Sequence, residues 1–439
     1  MIYQVRNLFA YLFFLIPIFL ITGPAVPDIT ITFGCIFGLC LLFFKNRNDL
    51  INNNLVILSL FFWFTLIFIS CFAINKVESF QDSIIFLRYL AIPICCYFLF
   101  FRENKFFYNF LFIVLIIVIF VCIDTLFQFF NYDSQNGFGK DLLGFESNWY
   151  GRLTGPFGEE LIPGSYVSKF GLIGYAYLLI NKKLRNKILL HSIYLSVILI
   201  VCFASGERMA LATYSLGLII LFIFLRDLRL VFIVTLIIAF ISIFSIYKTH
   251  PFYNDYEIIE STEYHQGLKI KKSFECENEP NKTCYKIIKI QPGFFKIISN
   301  FSTSAYGEIY ILAYKMFKDN PITGVGINNY KYLCENKAMY KQMMINYDCA
   351  SHPHNTYIQW LSEGGIIVFI SFIIYLISIL KLITKNQANY ELRVLSLVLL
   401  LILFWPIMST GSLIKNWYGI TVFFIIGVSL CLSRFKKDF

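Results

Sequence analysis

Long apolar runs separated by short polar punctuation dominate this chain. A window of about 19 residues, the length a helix needs to cross a bilayer, finds twelve such runs, near 8–25, 28–44, 55–73, 82–101, 107–130, 162–180, 187–204, 209–225, 230–247, 365–382, 394–410 and 417–433. Two polar stretches are longer than turns. The first, 131–162, contains G-R-L-T-G-P-F-G-E-E-L-I-P-G; the second, 248–364, holds most of the polar residues of the chain. Apolar runs inside the second, such as Ile309–Phe317, are too short or too charged to span. The pattern therefore predicts nine membrane helices within 1–247, a large loop over 248–364 folded as a compact, partly helical cap, and three more helices within 365–439.

Composition supports the same class. The 439 residues are 58% hydrophobic, 19% aromatic and only 15% charged, where soluble domains carry about 25% charged residues. The expected fold is an all-α polytopic membrane protein with about twelve transmembrane helices and one large, mainly helical outer loop. Charge then gives orientation. Seventeen Lys and Arg lie on Arg6, 45–49, 102–105, 181–187, 226–229, 381–393 and the C-terminal tail, against five on the alternate connections: Lys76, Lys140, Arg152, Arg208 and Lys415. The positive-inside rule puts both termini in the cytoplasm and both long polar stretches on the other side. The net charge of +10 is a product of that topology and points to no nucleic-acid partner. The first apolar run follows a single Arg without a small-x-small cleavage site, so it reads as an uncleaved first helix.

The candidate chemistry concentrates in Cys349–Gly365, C-A-S-H-P-H-N-T-Y-I-Q-W-L-S-E-G-G. Two of the five histidines, His352 and His354, stand here at the mouth of a predicted membrane helix. Histidine titrates nearest neutrality and is the default general acid or base, with Asn355 and Glu363 as candidates to orient it. Glu363 equally fits a helix-end hydrogen bond. A metal site at H-x-H needs further ligands in defined geometry; His250, His265 and nearby carboxylates give no recognisable spacing, so no metal or other cofactor is expected.

Charges in or at the rim of a bilayer are costly and mark function by default. Arg88, Asp124 and Lys169 fall within predicted spans, while Arg152 and Arg208 sit on outer connections. Arginine matches phosphate oxygens in a bidentate fork, so this outer basic set suits a phosphate-bearing lipid. Plainer roles stand beside that one: Arg88 neutralising Asp124, Lys169 snorkelling to the surface, Arg208 pairing with Glu207. Four of the twelve cysteines, Cys276, Cys284, Cys334 and Cys349, lie in the large loop. An even count outside the cytoplasm suggests disulfides, and neighbour pairing is the simplest of three connectivities. A Cys334–Cys349 bridge closes a loop of about 15 residues, a stabilisation of roughly 3 kcal/mol in the chain-entropy view.

Three segments resemble the O-antigen ligase/polymerase superfamily of bacterial membrane proteins. H-P-H-N-T-Y-I-Q-W-L-S-E-G-G is similar to that family's H-N-x-x-L…E-x-G signature, with His354 and Asn355 at the H-N positions. Asn320–Tyr330, N-P-I-T-G-V-G-I-N-N-Y, resembles the N-P-x-x-G-x-G segment upstream of the histidine. Ser205–Ala210, S-G-E-R-M-A, resembles the S-G-x-R turn that precedes the large loop, and G-R-L-T-G-P-F-G-E is a looser fourth match. The resemblance implies a multi-pass bacterial inner-membrane enzyme whose large loop is periplasmic. Such an enzyme transfers glycan, without a metal, from an undecaprenyl-diphosphate carrier to lipid A–core or another glycan acceptor. It further implies His354 as the catalytic histidine and Arg208 as a binder of the carrier diphosphate. Family members carry an arginine in the large loop; 248–364 contains none, and Lys315, Lys318, Arg152 or Arg88 are the candidates to replace its charge. The placement of H-N…E-x-G near the C-terminus favours a ligase. A polysaccharide polymerase or protein O-oligosaccharyltransferase is the alternative, and a twelve-helix transporter, for which two similar halves would be expected, comes from another class.

Overall fold

The computed structural model describes residues 2–45, 53–133, 137–147, 151–254, 256–260, 286–290, 299–386, 389–407 and 409–436. Among these, the apolar runs fall largely on helix, although 8–25 breaks at 20–24 and 394–410 leaves helix after Leu403. Six helices are long and apolar enough to cross a membrane: Ala25–Phe44, Lys76–Phe100, Asn104–Phe130, Arg226–Thr249, Thr356–Lys385 and Asn416–Arg434. Asn54–Ser70, Ile188–Ala204 and Arg208–Phe224 are apolar but shorter. The protein is a multi-pass, predominantly helical membrane protein. Two small sheets interrupt the helical pattern: an antiparallel pair, Tyr132–Asp133 with Gly137–Phe138, and a parallel pair, Tyr256–Glu260 with Lys286–Ile290. Both lie in the polar stretches, where hydrophobic periodicity gave no strand signal.

The chain forms two compact units, Met1–Phe110 with Asn300–Phe439, and Leu111–Ser299. The large loop is thus shared between two bodies, because its first part stays with the preceding helices and its last part packs with the helix that follows.

In the first unit, helix Asn416–Arg434 is almost wholly enclosed. Around it, Phe62, Phe86, Trp360, Phe372 and Phe423 interlock, with Trp360 edge-on to Phe62 at 5.6 Å and to Phe86 at 5.8 Å. Aromatic edges against faces are the favoured geometry, and this cluster joins the helices at 54–70, 76–100, 356–385 and 416–434. Asparagine side chains start several helices: Asn53 accepts the N–H of Leu55 at 2.9 Å and Asn389 that of Glu391 at 3.2 Å, satisfying otherwise orphaned donors.

In the second unit, packing depends on small residues and hydroxyls, as expected where lipid removes the hydrophobic contrast. Ile198 lies against Gly171, where an added Cβ would fall 2.6 Å from its Cδ1. Ser192 Oγ donates to the Val231 carbonyl at 3.0 Å and Ser196 Oγ to that of Thr235 at 2.9 Å. Leu236, Ile237, Phe240, Ile241 and Phe244 of helix Arg229–Thr249 stay exposed, an apolar face suited to lipid.

Candidate functional site

The motifs singled out in the sequence assemble into two groups, one in each unit. In the first unit everything turns on a kink. Helix Thr356–Lys385 is interrupted at Gly365, with φ +63° and ψ −167°, a conformation open essentially to glycine alone. The break releases backbone groups that a straight helix would pair. The N-P-I-T-G-V-G loop takes them: Val325 N–H donates to the Ser362 carbonyl at 3.0 Å and Gly326 N–H to that of Glu363 at 2.9 Å, while Ile366 N–H donates to the Pro321 carbonyl at 3.0 Å.

Glu363, with no exposed surface, serves the same junction. Its carboxylate accepts the N–H of Tyr330 at 3.3 Å and the Gln359 Nε2 at 3.0 Å. Asn355 caps the helix start, accepting the N–H groups of Tyr357 at 3.0 Å and Ile358 at 3.1 Å and donating to the Pro406 carbonyl at 2.8 Å.

His354 itself has φ +52°, a left-handed backbone that costs a non-glycine residue of order 1 kcal/mol or more. A segment unmarked by the sequence reading holds it there, the 406–415 connection between the last two helices. Thr410 N–H donates to the His354 carbonyl at 2.8 Å, and the Thr410 backbone also hydrogen-bonds the His354 ring. Thr356 and Thr410 hydroxyls meet at 3.2 Å, and Gln359 Nε2 donates to Ser412 Oγ at 2.8 Å. The His352 ring lies 4.2 Å from that of His354, between Ser351 Oγ on Nδ1 at 2.9 Å and the Thr410 carbonyl on Nε2 at 3.1 Å. Since a carbonyl only accepts, His352 carries its proton on Nε2. Burial holds both imidazoles below the usual value. For His352, burial and the charges of His354 and Lys415 push it down to about 3, with the Thr410 hydrogen bond opposing; for His354 burial outweighs the same Thr410 bond. Both rings are therefore neutral at pH 7, the form a general base requires.

Cys334 and Cys349 are joined in a disulfide that tethers the chain just ahead of His352 to helix Tyr330–Asn336. Cys276 and Cys284 lie outside the described residues, as does His265. Arg88 makes its ion pair with Asp28 at 2.6 Å and not with Asp124, and donates to Thr32 at 3.2 Å and Asn416 at 2.8 Å. Asp28 lies in the first turn of helix Ala25–Lys45. Lys315 pairs with Asp319 one turn on, and Lys318 is exposed.

In the second unit, the S-G-E-R turn and the G-R-L-T-G-P-F-G loop meet. Gly206, at φ +74°, approaches so closely that a Cβ would fall 2.1 Å from the Gly151 carbonyl oxygen, and Leu153 N–H donates to the Ser205 carbonyl at 3.2 Å. Glu207 caps helix Pro163–Ile180, accepting the N–H groups of Gly164 at 2.6 Å and Ser165 at 3.0 Å. Burial raises its carboxyl to about 7, with Arg152 and Lys169 pulling the other way. Lys169 does not reach the surface: it is buried and donates to the Ser165 carbonyl at 2.9 Å and hydroxyl at 2.7 Å. Arg152 donates through one terminal nitrogen to the Leu161 carbonyl at 2.7 Å, while its Nε is buried without a partner. Arg208 is exposed at the first residue of helix Arg208–Phe224. Asp124 accepts the N–H of Leu142 at 3.0 Å. Among the described residues no three His, Cys, Asp or Glu side chains are grouped to hold a metal ion.

A family model described as O-antigen ligase matches residues 193–373. Over that stretch, less than half of its length, the chain is similar to the O-antigen ligase superfamily. The match runs from the helix before S-G-E-R through the large loop and H-P-H-N…E-G-G, so it takes in parts of both groups. No curated protein matches the chain. The signal for the Thr410 clamp was absent from the sequence because it works through backbone groups and small hydroxyls, which carry no motif.

Proposed function

We propose that this protein transfers a glycan from undecaprenyl diphosphate to a sugar hydroxyl of lipid A–core at the periplasmic face of the bacterial inner membrane. The observation that carries this reading is His354: a neutral imidazole at the family's H-N position, held in a left-handed backbone by Thr410. In this mechanism His354 takes the proton of the acceptor hydroxyl as its oxygen attacks the anomeric carbon. The new glycosidic bond forms as the bond from that carbon to the phosphate oxygen breaks, and the electron pair leaves with undecaprenyl diphosphate. Arg208 and Arg152 bind the diphosphate, whose developing charge suits a guanidinium fork and, at Arg208, a helix N-terminus. Arg88, Lys315 and Lys318 lie further from this role, since Arg88 and Lys315 already have carboxylate partners. Asn355 and Glu363 position the histidine's helix.

The test is the surface-polysaccharide profile of a deletion strain complemented with wild type or His354→Ala. Bare lipid A–core with accumulated lipid-linked polymer, restored by wild type and not by folded His354→Ala, is the expected result. Core carrying a single repeat unit would make the protein a polymerase. Normal ligation by His354→Ala overturns the mechanism.

A further inference from the structure

Helix Ala305–Asp319 has a clear inner face. Ile309, Leu312, Ala313 and Met316 are buried against Tyr330, Leu333 and Tyr340. Beside that face Tyr306, Tyr310 and Tyr314 recur at i, i+4 and i+8, a spacing that puts them along one stripe, with Tyr310 partly buried and packed against the same core. Each step advances ~6 Å along the axis, comparable with the length of one sugar residue. The stripe begins at the proposed base: the Tyr306 ring stands edge-on to His354 with centroids 5.9 Å apart and planes at 88°. Tyr306 and Tyr310 are 6.3 Å apart, and Phe301 lies 5.9 Å from Tyr310. Tyr314 is 65% exposed and Phe301 41%. Tyr310 is fixed, because its hydroxyl bonds the Asn355 side chain. Lys318, one turn past Tyr314, is exposed at the end of the stripe.

We infer that Tyr306, Tyr310 and Tyr314 form a stacking track for the pyranose rings of the acceptor glycan, with its reacting terminal sugar on Tyr306 beside His354. A pyranose presents a face of C–H groups to an aromatic ring while its hydroxyls stay hydrated, and a tyrosine adds a hydrogen-bonding rim. The track rests on the glycosyl-transfer reading of His354. It deepens that reading by naming what recognises the acceptor.

The experiment uses the full-length protein in lipid nanodiscs. The donor is undecaprenyl-diphosphate-linked glycan and the acceptor is core-truncated lipopolysaccharide, both from a strain lacking this gene, each varied in turn. Tyr306→Ala and Tyr314→Ala are expected to raise the acceptor KM roughly three- to tenfold, the range of a lost aromatic contact, with the donor KM unchanged. For Tyr314→Ala, kcat stays within about twofold. Phe at either position is expected to behave like tyrosine, and Leu, which keeps bulk without a π face, like alanine. An acceptor KM that does not move, a rise confined to the donor, or Leu matching Phe overturns the track. A tyrosine row that only seats the loop at the bilayer surface would give the first of these. No transfer by wild type overturns the parent reading instead.

Discussion

Gly326 donates its N–H to the carbonyl of Glu363 at 2.9 Å. That carbonyl would be taken within the helix were Gly365 not a break, so the N-P-I-T-G-V-G loop and the E-G-G kink are one device. Gly324 shows how closely they fit: a Cβ there would lie 2.4 Å from the Glu363 carbonyl carbon. The kink ends the short helix that carries His354 at its start and redirects the chain into a membrane span.

Gly365→Ala is accordingly expected to be severe. A Cβ at Gly365 would sit 2.3 Å from the Ile322 carbonyl oxygen, in a backbone conformation at φ +63°. Strain alone costs about 1–3 kcal/mol, and backbone atoms cannot move aside as a side chain can. Thermal unfolding in detergent should show a large loss of stability or no folded protein. A melting temperature equal to wild type would refute the kink as described.

Glu363 separates positioning from proton transfer. A positioning Glu363 predicts that Glu363→Gln, which keeps one acceptor oxygen, lowers stability modestly and activity with it. Glu363→Ala leaves buried donors on Tyr330 and Gln359 unpaired, at about 1–3 kcal/mol. A Gln variant of unchanged melting temperature that has lost all transfer would make Glu363 a proton carrier instead.

The order of motifs along the chain was legible in the sequence, and the structure brings motifs together in pairs: E-G-G with N-P-I-T-G-V-G, and S-G-E-R with G-R-L-T-G-P-F-G. Glycines made this readable, since Gly206, Gly324 and Gly365 each mark a close backbone approach. What the sequence hid is carried by groups without pattern. The Thr410 clamp works through the main chain, and Asp28, which neutralises Arg88, is a lone acid in an apolar run. The two small sheets are short enough that no alternation develops.

Acid should weaken this protein through its histidines. His352 is held near 3 in the fold against about 6.5 unfolded, so below pH 6.5 the unfolded chain binds a proton the native state refuses. Stability is then lost progressively as pH falls from about 6.5 toward 3. His352→Asn should shrink the drop in melting temperature between pH 7.5 and pH 5. Because His354 is also depressed, transfer should hold its rate down through the ordinary imidazole range and fall only at lower pH. An acid limb at or above about 6.5 would contradict a buried base.

The Cys334–Cys349 bridge closes a separation of 15 residues, for which chain entropy gives about 3 kcal/mol. Cys334→Ser and Cys349→Ser should destabilise equally, and the double variant no further, since one bond is lost in each case. Activity at low temperature should survive better than stability, because His354 keeps its Thr410 contacts. Additive losses would mean that the cysteines act separately.

Arg208 and Arg152 differ in exposure, and this predicts how their variants diverge. Arg208 is exposed at a helix start, so Arg208→Ala should raise the donor KM while stability changes by less than about 0.5 kcal/mol. Arg208→Lys keeps charge but not the fork and should recover only part of the affinity. Arg152 also anchors the Leu161 carbonyl and offsets the buried charge of Glu207. Arg152→Ala should therefore lower stability together with donor affinity, and Glu207→Gln should rescue its stability without rescuing its donor KM. Raised salt should weaken donor binding to wild type more than to Arg208→Ala, since screening acts on exposed charge. Donor KM values that match wild type in both arginine variants would remove the diphosphate from this turn.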